Sequence, residues 1–211
     1  MEKEKKYQKE ALDHFRLSII DAKLSYVLLK SLYQSRAENI VGKQLFDKYF
    51  WVQKQHGGFF NKIEHCAVVD FIIRILHGFD NDKQALTLKD IDEKAYDKFI
   101  NKEENEEFIN KIKIFRDKKI AHFDKKQPIE KKLPPFKKID NFFMNLENFY
   151  NELSGKIEDS KTLFGQDKDF KYEIEKVLQN LYVGEKNRLL NIELEYNWKK
   201  NPNNISQNHN L

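Results

Sequence analysis

From Glu2 to Arg36 the apolar positions Ala11, Phe15, Ile19, Ala22, Tyr26, Leu29 and Tyr33 recur every three or four residues, the spacing that lines one face of a helix. Leu24, Leu28 and Leu32 widen the stripe beyond a coiled-coil seam, so a bundle helix is predicted. Asn39 to Gln55 repeats the pattern through Val41, Leu45, Phe46, Tyr49, Phe50 and Val52, and then meets Gly57-Gly58, which should break or kink it. Phe59 to Phe79 is the most apolar run and predicts the central, most buried helix. Its polar members Glu64, Asp70 and Arg74 should pair with one another or with a neighbouring helix, because an unpaired charge in a core is costly.

Asp80 to Ile91 alternates acids like a calcium loop, but Ala85 and Ile91 stand where such a loop needs glycine and glutamate. A loop in which Thr87 caps a short helix is predicted instead. A helix from about Glu104 then buries Phe108, Ile109, Ile112 and Phe115, and Pro128, Pro134 and Pro135 require it to stop soon afterwards. Phe136, Ile139, Phe142, Phe143, Leu146, Phe149, Tyr150 and Leu153 form another core stripe, closed by Ser154-Gly155. After a polar loop through Asp169, a last helix from about Phe170 to Trp198 carries Ile174, Val177, Leu178, Leu181, Leu189, Ile192 and Tyr196, and either completes the bundle or pairs with another subunit. The expectation is an all-α antiparallel bundle with long helices. It forms one domain over residues 1–200, with an Asn-rich, disordered tail over 201–211.

Composition supports this. Seven Gly and four Pro against 17 Phe and nine Tyr leave few turn signals and many large apolar side chains. The net charge of +4 excludes a polycation, yet from Lys111 to Lys138 eleven Lys/Arg face only Asp117, Asp124 and Glu130. The lone Cys66 excludes an intramolecular disulfide and points to a reducing compartment. With no apolar signal core at the N-terminus, and with Asp70 and Arg74 interrupting the most apolar helix, a cytoplasmic protein without a membrane anchor is expected. Gly-rich phosphate loops, His-Glu-x-x-His helices and cysteine pairs do not occur in the sequence, and neither a metal nor another cofactor is expected.

The strongest chemical signal is Phe115-Arg116-Asp117-Lys118-Lys119-Ile120-Ala121-His122-Phe123-Asp124. An arginine stays charged and offers a planar fork to phosphate, while a histidine titrates near neutrality. Together they suit phosphodiester cleavage without a metal, the imidazole moving protons and the guanidinium stabilising charge on the phosphoryl oxygens. On a straight helix, six residue steps leave His122 about 120° from Arg116. A distorted turn, a broad site or a second subunit is needed to bring both to one phosphate. The proline-punctuated lysines of residues 125–138 add a basic connector beside the motif.

The string Arg116-Asp117-Lys118…Ala121-His122-Phe123-Asp124 follows Ile72-Ile73-Arg74-Ile75-Leu76-His77-Gly78-Phe79-Asp80. Together they resemble the HEPN superfamily of helical ribonucleases and RNA-binding modules, in its abortive-infection AbiU-like branch, over roughly residues 46–124. The resemblance implies that His122 is the general acid/base and Arg116 the phosphate-binding group, with Asp117 and Asp124 orienting them. It makes RNA the partner, and Lys118, Lys119, Lys125 and Lys126 the candidate RNA contacts. It also implies a homodimer with a composite site, cleavage to a 2′,3′-cyclic phosphate in bacterial stress or phage defence, and an antitoxin or sensor protein as a possible second partner. No tyrosine immediately precedes the histidine, so modification at such a residue is not expected. A non-catalytic RNA- or protein-binding module and a helical scaffold are the alternatives.

Overall fold

A computed structural model describes residues 2–79, 87–121 and 132–200, and within these segments there is helix and no strand. The all-α fold class is as expected. In chain order the helices are α1 (Glu2–Gln34), α2 (Glu38–Val41), α3 (Lys43–Gln55), α4 (Gly57–His77), α5 (Leu88–Ile91), α6 (Glu93–Ile100), α7 (Glu103–Phe115), a π-helical turn (Arg116–Ala121), α8 (Phe136–Ile157) and α9 (Gln166–Lys200). The chain divides into two compact units, Met1–Lys30 with Lys62–Lys171 and Ser31–Asn61 with Tyr172–Leu211.

In the first unit, polar bridges fix the directions of the helices. Lys9 meets Glu158 at 3.5 Å, Lys23 meets Glu147 at 2.6 Å and Lys30 meets Asp140 at 2.7 Å, so α1 and α8 are antiparallel. Arg74 with Asp21 at 2.9 Å, and Ser25 donating to Asp70 at 2.6 Å, set α4 antiparallel to α1. Asn145 with Asn105, and Lys138 with Glu107, set α7 antiparallel to α8. Between these helices the stripes read from the sequence close into one core through Phe15, Ile19, Tyr26, Phe71, Phe79, Ile112, Phe142 and Leu146. The Phe108 and Phe142 rings stack with centroids 4.0 Å apart. The Tyr26 hydroxyl donates to Asp140 at 2.7 Å and lies 3.0 Å from the Phe136 carbonyl, so burial first and the carboxylate second push its pKa well above the ordinary value.

Gly78, just past α4, lies where a Cβ would sit 2.2 Å from the Phe15 ring, which is itself buried. Only glycine permits that approach. At the opposite end of α5, Asp92 accepts the Ala95 N–H at 3.0 Å and caps α6. That hydrogen bond, and the Lys156 ammonium at 3.3 Å, hold its carboxyl below the ordinary range.

In the second unit, Tyr49 and Val52 of α3 and Leu178 of α9 are buried. Gln179 donates to the Tyr49 hydroxyl at 3.1 Å, and Trp51 meets Tyr182 edge to face. Gln53 donates to the Ser35 hydroxyl at 2.6 Å and accepts from Arg36 at 2.5 Å.

Several predicted boundaries move. The helix expected from Asn39 is interrupted at Gly42, whose φ of 79° is a conformation that only glycine adopts readily. The break at the glycine pair falls at His56, with Gly57 already in α4. α8 runs through Ser154-Gly155 and ends at Ile157, because Ser154 is fully buried and the left-handed turn residue is Asp159, φ 53°. α9 starts at Gln166, earlier than Phe170. Tyr33, placed on the buried stripe of α1, is 51% exposed, and Val177, Leu189, Ile192 and Tyr196 of α9 are exposed as well. The short helix after Thr87 is present as α5, with Asp90 accepting from both the Thr87 N–H and its hydroxyl. The rest of the apparent calcium loop, residues 80–86, and the tail over 201–211 lie outside the described residues.

Candidate functional site

α7 is anchored by Asn105, Phe108, Ile109 and Ile112, all buried, and its last turn delivers the chain to Arg116. There the hydrogen-bonding pattern changes. The Arg116 N–H donates to both the Ile112 and Lys113 carbonyls, and from Arg116 to Ala121 the backbone is π-helical. Such i→i+5 turns are short and recur at functional sites. Each residue turns less about the axis than in an α-helix, so the 120° separation calculated for a straight helix does not describe this segment. The π-helical turn ends at Ala121, and His122 lies outside the described residues.

Arg116 is half-buried, and its Nε donates to Asp117 Oδ1 at 2.9 Å. Asp117, expected to orient the site, thus holds the guanidinium directly, with more than half of its own side chain exposed. Lys118 is half-buried on the same turn. Lys119 contributes backbone to the turn. Its side chain, together with His122, Asp124, Lys125 and Lys126, lies outside the described residues.

The two parts of the sequence motif meet at one end of the bundle. Lys113, one turn before Arg116, donates from Nζ to the Phe79 carbonyl at 2.9 Å, beyond the C-terminus of α4. A cation there satisfies an orphan carbonyl and complements the helix dipole. On the same stretch of α4, Arg74 bridges Asp70 at 3.1 Å and Asp21 at 2.9 Å. Asp70 and Arg74 of the central helix are therefore paired with each other and with α1. These side chains are two-fifths exposed, so the pairs orient more than they stabilise. His77, next to the Gly78 contact, meets His14 edge to face with ring centroids 5.1 Å apart. Among the described residues no group of His, Cys, Asp and Glu has the arrangement of a metal site. Among them, too, no helix is long and apolar enough to cross a membrane.

Sequence periodicity missed α6. Its signal was present, an Asp92 cap followed by Ala95, Tyr96 and Phe99 at helical spacing, but eight residues give little more than two turns. The omission left Lys94, Lys98 and Lys102 unassigned.

A helical bundle that presents an arginine on a distorted turn, beside the end of its most apolar helix, is consistent with an all-α HEPN-like fold. Residues 70–173 match the HEPN family model described as AbiU2, just under half of the chain, and over that stretch the protein is similar to the abortive-infection-related AbiU2 branch. The match takes in the second half of α4, the whole Arg116–His122 motif and α8, whereas residues 46–69, included in the resemblance read from the sequence, fall outside it. No curated protein and no solved structure matches the chain.

Proposed function

We propose that the protein is an endoribonuclease of HEPN type, cutting RNA with Arg116 and His122 and without a metal ion. The supporting observation is Arg116 itself. It is half-buried, held by Asp117 at 2.9 Å on a π-helical turn, inside the segment that matches the AbiU2 model. His122, six residues on, is the group that moves protons. In the reaction a ribose 2′-oxygen attacks the adjacent phosphorus as its proton passes to an imidazole. The P–O5′ bond breaks as the departing 5′-oxygen takes up a proton. A 2′,3′-cyclic phosphate and a 5′-hydroxyl result, with no other reactant consumed. The guanidinium stabilises the charge on the non-bridging oxygens.

One imidazole cannot stand on both sides of the phosphorus at once. A homodimer that faces two motifs supplies one histidine as base and one as acid. Lys118, Lys119, Lys125 and Lys126 supply phosphate contacts on either side of the histidine. The setting is phage defence or stress, with a neighbouring antitoxin or sensor restraining cleavage. The test is cleavage of mixed RNA in excess EDTA, lost in Arg116→Ala and in His122→Ala.

A second reading is a binding module that does not cut. It is favoured by one contact: the Arg116 Nε already engages a carboxylate, the geometry of a structural pair. It predicts salt-sensitive RNA binding that survives His122→Ala, and no cleavage by the wild type.

A further inference from the structure

Away from the Arg116 turn, α6 and α8 of the first unit enclose an open groove of about 730 Å³. Five lysines line it, Lys94, Lys98, Lys102, Lys156 and Lys161, against only two carboxylates. One of those carboxylates, Asp92, is already occupied by Lys156 and by the capping of α6. Among the described residues Lys94, Lys98, Lys102 and Lys161 form no ion pair. Lys94 and Lys98 are one turn apart on the same face of α6, about 6 Å along the axis, and Lys102 follows beyond the Asn101 cap. Like charges at that spacing repel one another.

Lys161 is held in position from behind. Asn151 of α8 donates to the Thr162 carbonyl at 3.2 Å and accepts the Thr162 N–H at 2.8 Å, while Ser154 donates to the Ser160 carbonyl at 2.8 Å. These bonds pin both neighbours of Lys161 against α8, so its backbone is held at the rim of the groove. The floor is the stacked Phe99 and Phe149 pair, buried and so closed to an incoming base.

We propose that this groove binds the phosphate backbone of single-stranded RNA without reading its sequence. Regularly spaced point charges over a closed apolar floor suit successive phosphates, and nothing in the floor offers a stacking platform or a base-edge code. The groove lies at the N-terminal end of α7 and Arg116 follows its C-terminal end, so the two are about 20 Å apart along that helix. RNA as the occupant rests on the ribonuclease reading above; the groove adds a holding site separate from the cutting site.

The experiment uses the full chain and a fluorescent single-stranded 20-nucleotide RNA with every 2′-hydroxyl methylated, which binds but cannot be cut by 2′-oxygen attack. Anisotropy titrations over a range of salt compare wild type, Lys98→Glu/Lys161→Glu and the off-groove control Lys54→Glu, with circular dichroism on each. The proposal predicts severalfold weaker binding for the double variant, a salt slope smaller by about 2, and little change for Lys54→Glu. Equal affinities and slopes for the double variant and the control overturn it. So does a poly-glutamate competitor that binds the groove more tightly than the RNA at equal ionic strength. Groove-dependent binding with no cleavage of unmodified RNA would remove the nuclease reading and leave the groove standing, whereas cleavage with groove-independent binding would do the reverse.

Discussion

The Lys113 ammonium donates to the Phe79 carbonyl at 2.9 Å, tying the last turn of α7 to the chain just beyond the most apolar helix. Phe79 is the last but one residue of the upstream half of the sequence motif, and Arg116, three residues after Lys113, begins the downstream half. The bond therefore holds the turn before Arg116 against the chain just beyond α4.

Lys113→Met keeps the length of the stem and removes the donor. We expect a stability loss of about 1 kcal/mol in urea unfolding, the lower end for a charge-assisted bond that is partly exposed. Amide exchange across Arg116–Ala121 should speed up more than in the middle of α8. RNA cleavage should fall although Lys113 is not assigned to the phosphate.

Gly78→Ala places a methyl group 2.2 Å from a ring that has no room to swing, since Phe15 is only 2% exposed. The expected cost is about 1–3 kcal/mol of overpacking. Thermal unfolding of Phe15→Leu/Gly78→Ala, compared with each single variant, should recover part of it, the sign of a direct clash.

Asp92 has a folded-state pKa below its ordinary 3.8. Its contribution to stability is present above that ordinary value and is lost as the pH falls through the depressed one. Asp92→Asn keeps a capping oxygen without the charge, so its stability should fall less steeply than wild type between about pH 5 and pH 2. Asp92→Ala should cost about 1 kcal/mol at neutral pH, measured by urea unfolding, from loss of the cap.

Tyr26 has a raised pKa, and the sign is opposite: its contribution is complete below the ordinary 10.0 and is lost only at strongly alkaline pH. Tyr26→Phe should cost about 1 kcal/mol at neutral pH, with Asp140 still held by Lys30 at 2.7 Å. The difference in unfolding free energy between variant and wild type should stay constant from neutrality to about pH 9.

The core was legible because one-sided stripes survive as faces. Phe15, Ile19, Ala22 and Tyr26 on α1, and Ile139, Phe142, Leu146 and Leu153 on α8, are all buried where the three-and-four spacing put them. Periodicity names a face but not what covers it, which is why Tyr33, placed on the buried stripe, is exposed, and why the far half of α9, read as completing the bundle or pairing with another subunit, leaves its stripe exposed. Ser154-Gly155 looked like a helix end because glycine often follows one, yet a buried serine in the next turn outweighs that preference. The pairing of Arg74 with Asp70 was expected because a buried charge is costly, although both side chains are two-fifths exposed, and Asp21 of α1 was not anticipated. Of the candidate site, Arg116 was singled out by residue chemistry and an orienting Asp117 was implied by the resemblance; the contact between them is present at 2.9 Å. The π-helical turn could not, because no spacing of side chains marks a change from four-residue to five-residue hydrogen bonding. The Lys113–Phe79 bond joins residues 34 positions apart and was equally out of reach.

The central claim is tested most directly by incubating a mixed RNA pool in excess EDTA with wild type, Arg116→Ala and His122→Ala, each confirmed as folded by circular dichroism. The account predicts cleavage by wild type to 2′,3′-cyclic phosphate ends, with about a 10²–10⁴-fold loss in His122→Ala and a comparable loss in Arg116→Ala. Cleavage that persists undiminished in both variants would contradict it, and so would the absence of cleavage by wild type freed of its partners.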